Sequence, residues 1–225
     1  MWPADAAALI AEQADLAARP MPPWAFDPAA PLGGCFACFA RGGTGPGRAG
    51  DPGWAGAGLV QQGRTTASAV VAGTAGGPYA PGLLALREGP LLEAAVLALP
   101  FTPAVLLVDG TGRDHPRGAG LALHLGAVLG LPSVGVTHRP LLAEGAWPED
   151  RRGSAAPLRL AGRVVGYWVR TRAGARPLAV HAAWGTSPEV AVDVVLAAMG
   201  RARTPEPLRA ARAAARQARA AATSA

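Results

Sequence analysis

The chain has no lysine: all 21 of its basic residues are arginine. A GC-rich genome produces such a bias without selection for function, but guanidinium groups also pair well with phosphate oxygens. The net charge of +6 therefore points, modestly, toward a polyanionic partner such as nucleic acid. No apolar run reaches the roughly 20 residues of a membrane-spanning helix, which excludes a helical membrane anchor. No basic segment followed by an apolar core opens the chain, so no signal peptide is read and a cytoplasmic location is expected. Only two cysteines are present, Cys35 and Cys38. A lone C-x-x-C without a second ligand pair does not make a zinc site. With Phe36 and Phe39 interleaved, the stretch reads as a strand, and its cysteines as two buried small side chains on opposite faces.

What is present organises around residues 104–126, AVLLVDGTGRDHPRGAGLALHLG. Ala104 to Val108 is an apolar run short enough for a buried strand. Asp109 closes it, Gly110 and Gly112 open a loop, and Leu121, Leu125 and Val128 then follow helical spacing. A carboxylate at the carboxyl end of a buried strand, beside a glycine loop and a helix start, is where open α/β sheets place ligands. A turn aspartate without chemistry has the same local pattern.

Along the rest of the chain, Asp5 caps a first helix that ends before Pro20, Pro22 and Pro23. A proline-rich connection runs to Pro31. Gly34 to Ala40, Trp54 to Val60 and Ala67 to Gly73 read as three strands of an antiparallel meander. A Gly/Arg turn over Arg41–Asp51 joins the first two, and Gln62–Gly63 the last two. A helix follows from about Leu83 to Ala98. Leu131 to Val136 is a further strand, ending at Thr137–His138–Arg139, and residues 141–158 read as irregular. Val164 to Thr171 and Leu178 to Ala182 are strands, and Glu189 to Met199 is a helix.

Two further stretches bear on binding. Pro78 and Pro81 fix the backbone around Tyr79 in Gly76–Gly82, so the ring is held in one place. An exposed, rigid tyrosine can stack on a base or wedge into a duplex; a turn with a half-buried tyrosine is the alternative. Near the C-terminus, Arg209, Arg212, Arg216 and Arg219 recur at helical spacing. They form either a solvated face or a stripe that contacts phosphates.

The order PYAPG, Arg87–Glu88, VDGTGRDHPRGAGLALHLG, LPSVGV and TPEP resembles the endonuclease V family. The resemblance implies an α/β fold: a single domain, residues 1–203, with an RNase H-like mixed sheet flanked by helices. Residues 204–225 are then an Arg/Ala-rich helical tail. It also implies magnesium-dependent cleavage of DNA or RNA near inosine, in DNA repair; a monomer is expected. Asp109 and Glu88 match metal-binding carboxylates, and His115 a histidine near the scissile strand. Pro78, Tyr79, Pro81 and Gly82 match the wedge loop that fills the gap left by an extruded base. Gly110 and Gly112 match glycines that let backbone approach that base.

Departures from the family pattern alter the expectation. The family places an aspartate on the first strand, two residues after a glycine; Gly34–Cys35–Phe36 puts Phe36 there. A phenyl ring cannot ligate magnesium, which takes oxygen ligands in octahedral geometry. Trp184 replaces a histidine before the last helix, and His138, a substrate-binding candidate that can donate to a phosphate when protonated, replaces a strand-end lysine. Asp114, within the Asp109 loop, is the substitute ligand the sequence offers. Two functions follow. One is a binding protein that recognises inosine-containing nucleic acid, its magnesium site weakened and its cleavage weak or lost. The other is an active magnesium-dependent endonuclease with a rearranged site.

Overall fold

The computed structural model describes residues 2–21, 24–40 and 45–223. Pro22 and Pro23 of the proline-rich connection, and residues 41–44 of the Gly/Arg turn, lie outside this range. Helix α1 spans Ala6–Ala18; Asp5 caps it, its Oδ1 accepting from Ala8 N at 2.9 Å. Strands β1 (Leu32–Phe39), β2 (Pro52–Gln61) and β3 (Arg64–Thr74) form the antiparallel meander expected from the sequence. Gln62 and Gly63 both have positive φ, 51° and 73°, as a two-residue hairpin turn requires. Helix α2 (Leu84–Leu97), β4 (Val105–Val108), α3 (Leu121–Leu129) and β5 (Ser133–Thr137) follow. Then come β6 (Ala155–Leu160), β7 (Arg163–Val169), β8 (Leu178–Ala182), α4 (Pro188–Ala197) and α5 (Glu206–Thr223).

The eight strands make one sheet in the order β3-β2-β1-β4-β5-β8-β7-β6. Pairs β1–β4 and β4–β5 are parallel and the other pairs antiparallel, so the sheet is mixed. Alternation along β4 divides the core in two. Leu106 and Val108 face the layer of α1, α2 and α3, while Val105 and Leu107 face that of α4 and α5. All four are fully buried, and each contributes roughly 1.5–3 kcal/mol by leaving water.

Strand β6 falls in the stretch that the sequence marks as irregular up to Leu158. Pro157 lies in its middle, which argues against a central strand. The strand is instead the last of the sheet, paired with β7 on one side and, among the described residues, meeting only the Glu144–Arg159 bridge on the other, an edge position that tolerates a missing N–H.

Helix α5 crosses β1 and β2 on the α4 side, seated on a floor of glycines. A Cβ at Gly34 would collide with the backbone of Pro207 and Leu208, and one at Gly56 with the Ala211 carbonyl oxygen. A Cβ at Gly58 would meet Ala210. With Leu208, Ala211 and Ala215 buried beneath it, the arginine-bearing side of the helix runs beside the carboxyl ends of β1 and β4.

Candidate functional site

A cavity of about 220 Å³ opens at the carboxyl end of β4, lined in part by Gln13, Tyr79, Gly82, Asp109, Gly110 and Thr111. It is smaller than the roughly 300–1,000 Å³ of pockets that enclose drug-sized ligands, and its size suits one planar ring better than an extended molecule.

One wall is the Tyr79 loop, whose position is pinned through a single carbonyl. The Gly82 oxygen accepts from Gln13 Nε2 at 3.2 Å and from Arg117 Nη2 at 2.7 Å. His115 Nε2 lies 3.1 Å from the same oxygen, while its Nδ1 accepts from the Arg117 amide at 3.3 Å. That pair of contacts fits a neutral ring protonated on Nε2. Burial, then the Arg117 guanidinium, hold the His115 pKa below its ordinary value. Gly82 has φ 76°, which only glycine adopts readily. Pro78 and Pro81 are exposed, and Tyr79 remains 49% exposed beside the cavity. At the other end of the loop, Gly76 N donates to the Arg87 carbonyl of α2 at 3.1 Å. His115 thus holds the loop in place, together with Gln13 and Arg117, whose part in the clamp the sequence did not single out.

Among the described residues, Asp109 is the one carboxylate that lines the cavity. Asp109 Oδ2 is 2.9 Å from Arg212 Nη2, an ion pair spanning 103 residues of sequence. Arg212 and Arg216 both stand over the Phe36 ring, each 5.4 Å from its centroid. Phe36 therefore faces α5. The β1 residue directed toward Glu88 is Cys35, fully buried in the α1–α3 core, with β4 partner Val108. Burial, then the charges of Asp109 and Glu88, push its thiol well above the ordinary range. Consecutive glycines make two registers of the family spacing possible. Two residues after Gly34 is Phe36, but two residues after Gly33 is Cys35, and strand alternation turns Cys35 to the Glu88 side. Burial raises the Glu88 carboxyl to about 8, with Asp109 adding to the shift and Arg87 opposing it.

Other sequence candidates take different places. His138 is exposed, and its Nδ1 lies 3.0 Å from Arg203 Nη1. Burial, then Arg203 and Arg212, lower its pKa. Gly110 lines the cavity, whereas Gly112 is buried against β8, where a Cβ would collide with the Ala182 carbonyl oxygen. Asp114 is no substitute ligand. It is fully buried, and its carboxylate accepts from the amides of Leu141, Leu142 and Ala143 at 2.6, 2.8 and 2.8 Å. Trp184 packs against the α1–α3 core, with the Arg19 guanidinium 5.8 Å from its ring.

These side chains do not fit magnesium. The β1 position offers a thiol in place of a carboxylate, and Asp109 is already paired with a guanidinium. Magnesium takes hard oxygen ligands, most readily carboxylates. Among the described residues, no three His, Cys, Asp or Glu side chains converge as a metal site.

The endonuclease V profile matches residues 54–213 of the chain, beginning after β1. Endonuclease V of Thermus thermophilus is 46% identical over 134 residues, 59% of each chain. The matched part is thus less than two thirds of that relative's length. The crystal structure of endonuclease V from Streptomyces avermitilis superposes with a TM-score of 0.84 at 33% identity, covering 99% of this chain and 96% of that one. Ciona intestinalis endonuclease V, solved with a 24mer DNA containing an inosine followed by a ribo-adenosine, has a TM-score of 0.74 at 18% identity, covering 94% and 96%; at that identity the likeness is one of fold. With the profile covering most of the chain, and β1 the strand outside it, this protein belongs to the endonuclease V family.

Proposed function

We propose that this chain captures nucleic acid carrying a deaminated base, inosine in particular, and holds it without efficient phosphodiester cleavage. The observation that carries the reading is the Arg212–Asp109 ion pair at a cavity whose tyrosine loop is intact. The cavity has the scale of one base, and Gly110 and Thr111 form part of its wall, as a pocket for an extruded hypoxanthine requires chain at close approach. Tyr79, stiffened by two prolines and anchored through Gly82, suits the role of filling the gap an extruded base leaves. The inosine-containing DNA held by the Ciona protein on the same fold supports this choice of ligand.

Family membership implies a magnesium-dependent reaction in which the ion would polarise the scissile phosphate. The donor set described above does not fit that ion, and no step is assigned through it. The second reading, an active endonuclease, draws on the retention of both Asp109 and Glu88.

An inosine-containing duplex and a matched control, each incubated with the protein in magnesium and in manganese, separate the readings. Retention of the inosine duplex without nicking is expected. Specific nicking in either metal that disappears in Asp109→Ala would establish the second reading instead. Equal, weak binding of both duplexes would remove the recognition claim.

A further inference from the structure

We infer that Arg212 is the resident cation of this site: the phosphodiester beside the captured base is held by arginine rather than by a divalent ion, so binding is independent of divalent metal. The inference rests on the reading above for the identity of the strand and shares its Arg212–Asp109 pair, to which the Phe36 ring and the arginines nearby are added.

The Arg212 guanidinium lies on the carboxylate that lines the cavity. Its place is set from three directions. The Phe36 ring backs it, its Nη1 is 3.3 Å from Thr204 Oγ1, and the glycine floor of β1 and β2 fixes the helix that carries it. Phe36 thus has a function that an aspartate on that face would not serve, since its π-surface accommodates Arg212 and Arg216 together.

The surroundings carry more positive charge than Asp109 can neutralise. Arg216 stands on the same ring, and Arg203 lies beside His138. Arg203 is fixed by donation to the carbonyls of Arg176 at 2.6 Å and Pro177 at 3.0 Å. Neither Arg203 nor Arg216 has a carboxylate in ion-pair range among the described residues. With Arg212 on Asp109, Arg216 on the shared Phe36 ring and Arg203 beside His138, the neighbourhood favours an anion, and arginine's planar fork suits a phosphate. Arg212 can donate to a phosphate while still paired to Asp109, because a guanidinium has five donors.

The test is the affinity of a labelled inosine-containing oligonucleotide and of its inosine-free control, measured by anisotropy in excess EDTA and in magnesium. Wild-type affinity is expected to be the same in both buffers. Arg212→Gln weakens binding in EDTA about tenfold, the scale of one lost charge-assisted contact, and lowers the salt slope by about one. Arg212→Lys keeps the charge and recovers part of the loss. Arg163→Ala, at the far edge of the sheet, stays within about twofold of wild type, as a purely surface charge should. Wild-type binding that collapses in EDTA overturns the inference without needing any variant. So does an Arg212→Gln protein, folded by circular dichroism, that binds in EDTA as wild type does. Should the Arg212 dependence persist while inosine and control strands bind equally, the inference stands and the inosine reading fails. Inosine preference that requires magnesium overturns the inference and leaves the inosine reading standing.

Discussion

Cys35 and Phe36 are neighbours in sequence with opposite duties, and the sheet decides which is which. Cys35 lies toward Glu88 beneath the helical layer, and Phe36 lies under the arginines of α5. The choice was not legible in GGCF, because either glycine supplies the spacing and only the β1–β4 register settles the side. Asp109 and the Tyr79 loop were legible, since a strand-end carboxylate and a proline-braced tyrosine have local signals. Arg212 on Asp109 was not, because nothing in the helical spacing of the arginines says what they face. Cys35→Asp places a third carboxyl beside Glu88 and Asp109. Its thermal midpoint should fall without metal through like-charge crowding, and magnesium should restore part of the loss. Wild type should show no magnesium shift; a variant midpoint that ignores magnesium contradicts the assignment of Cys35. Tyr79→Ala should reduce discrimination between inosine and control duplexes more than it reduces affinity for the control. Equal losses on both would remove the wedge role.

Helix α5 ties the arginine cluster to the sheet. Its alanines and the opposing glycines allow helix backbone to approach strand backbone more closely than larger side chains permit. Gly56→Ala pushes a methyl into the Ala211 carbonyl oxygen. Overpacking of this kind costs about 1–3 kcal/mol, or roughly 2–12 °C in thermal midpoint for a chain this size. Because Arg212 is one residue beyond Ala211, the same change should weaken oligonucleotide binding in EDTA. A stable variant with unchanged binding would show that the close seat does not position Arg212. At this scale the sequence was informative for helices with capping signals and for the hairpin at Gln62–Gly63, whose geometry is local. It was uninformative for β6, where an internal proline masks a strand that tolerates it only by lying at the edge.

Across the whole molecule, buried titratable groups set opposing pH limits. His124 and His181 are buried, and burial lowers both to about 4 from an ordinary 6.5. The unfolded chain therefore binds more protons between those values, and stability is lost as pH falls through that window. Glu88 has the reverse sign. Raised to about 8 from 4.5, it binds its proton in the folded state, so its contribution fades as pH rises toward 8. Thermal midpoints should peak near pH 6.5 and decline on both sides, and Glu88→Gln should remove the alkaline decline. An alkaline limb that survives Glu88→Gln contradicts this assignment. The mixed sheet and its helical layers followed from apolar runs and from the family resemblance. The pairing of the last helix with the first strands joins residues about 170 positions apart, beyond the reach of any local signal. The most direct measurement on the central claim is a calorimetric titration of manganese into the unmodified protein. No site tighter than about 1 mM is expected, because the charge that would hold the ion is already answered by Arg212. Micromolar binding of manganese that disappears in Asp109→Ala would contradict it.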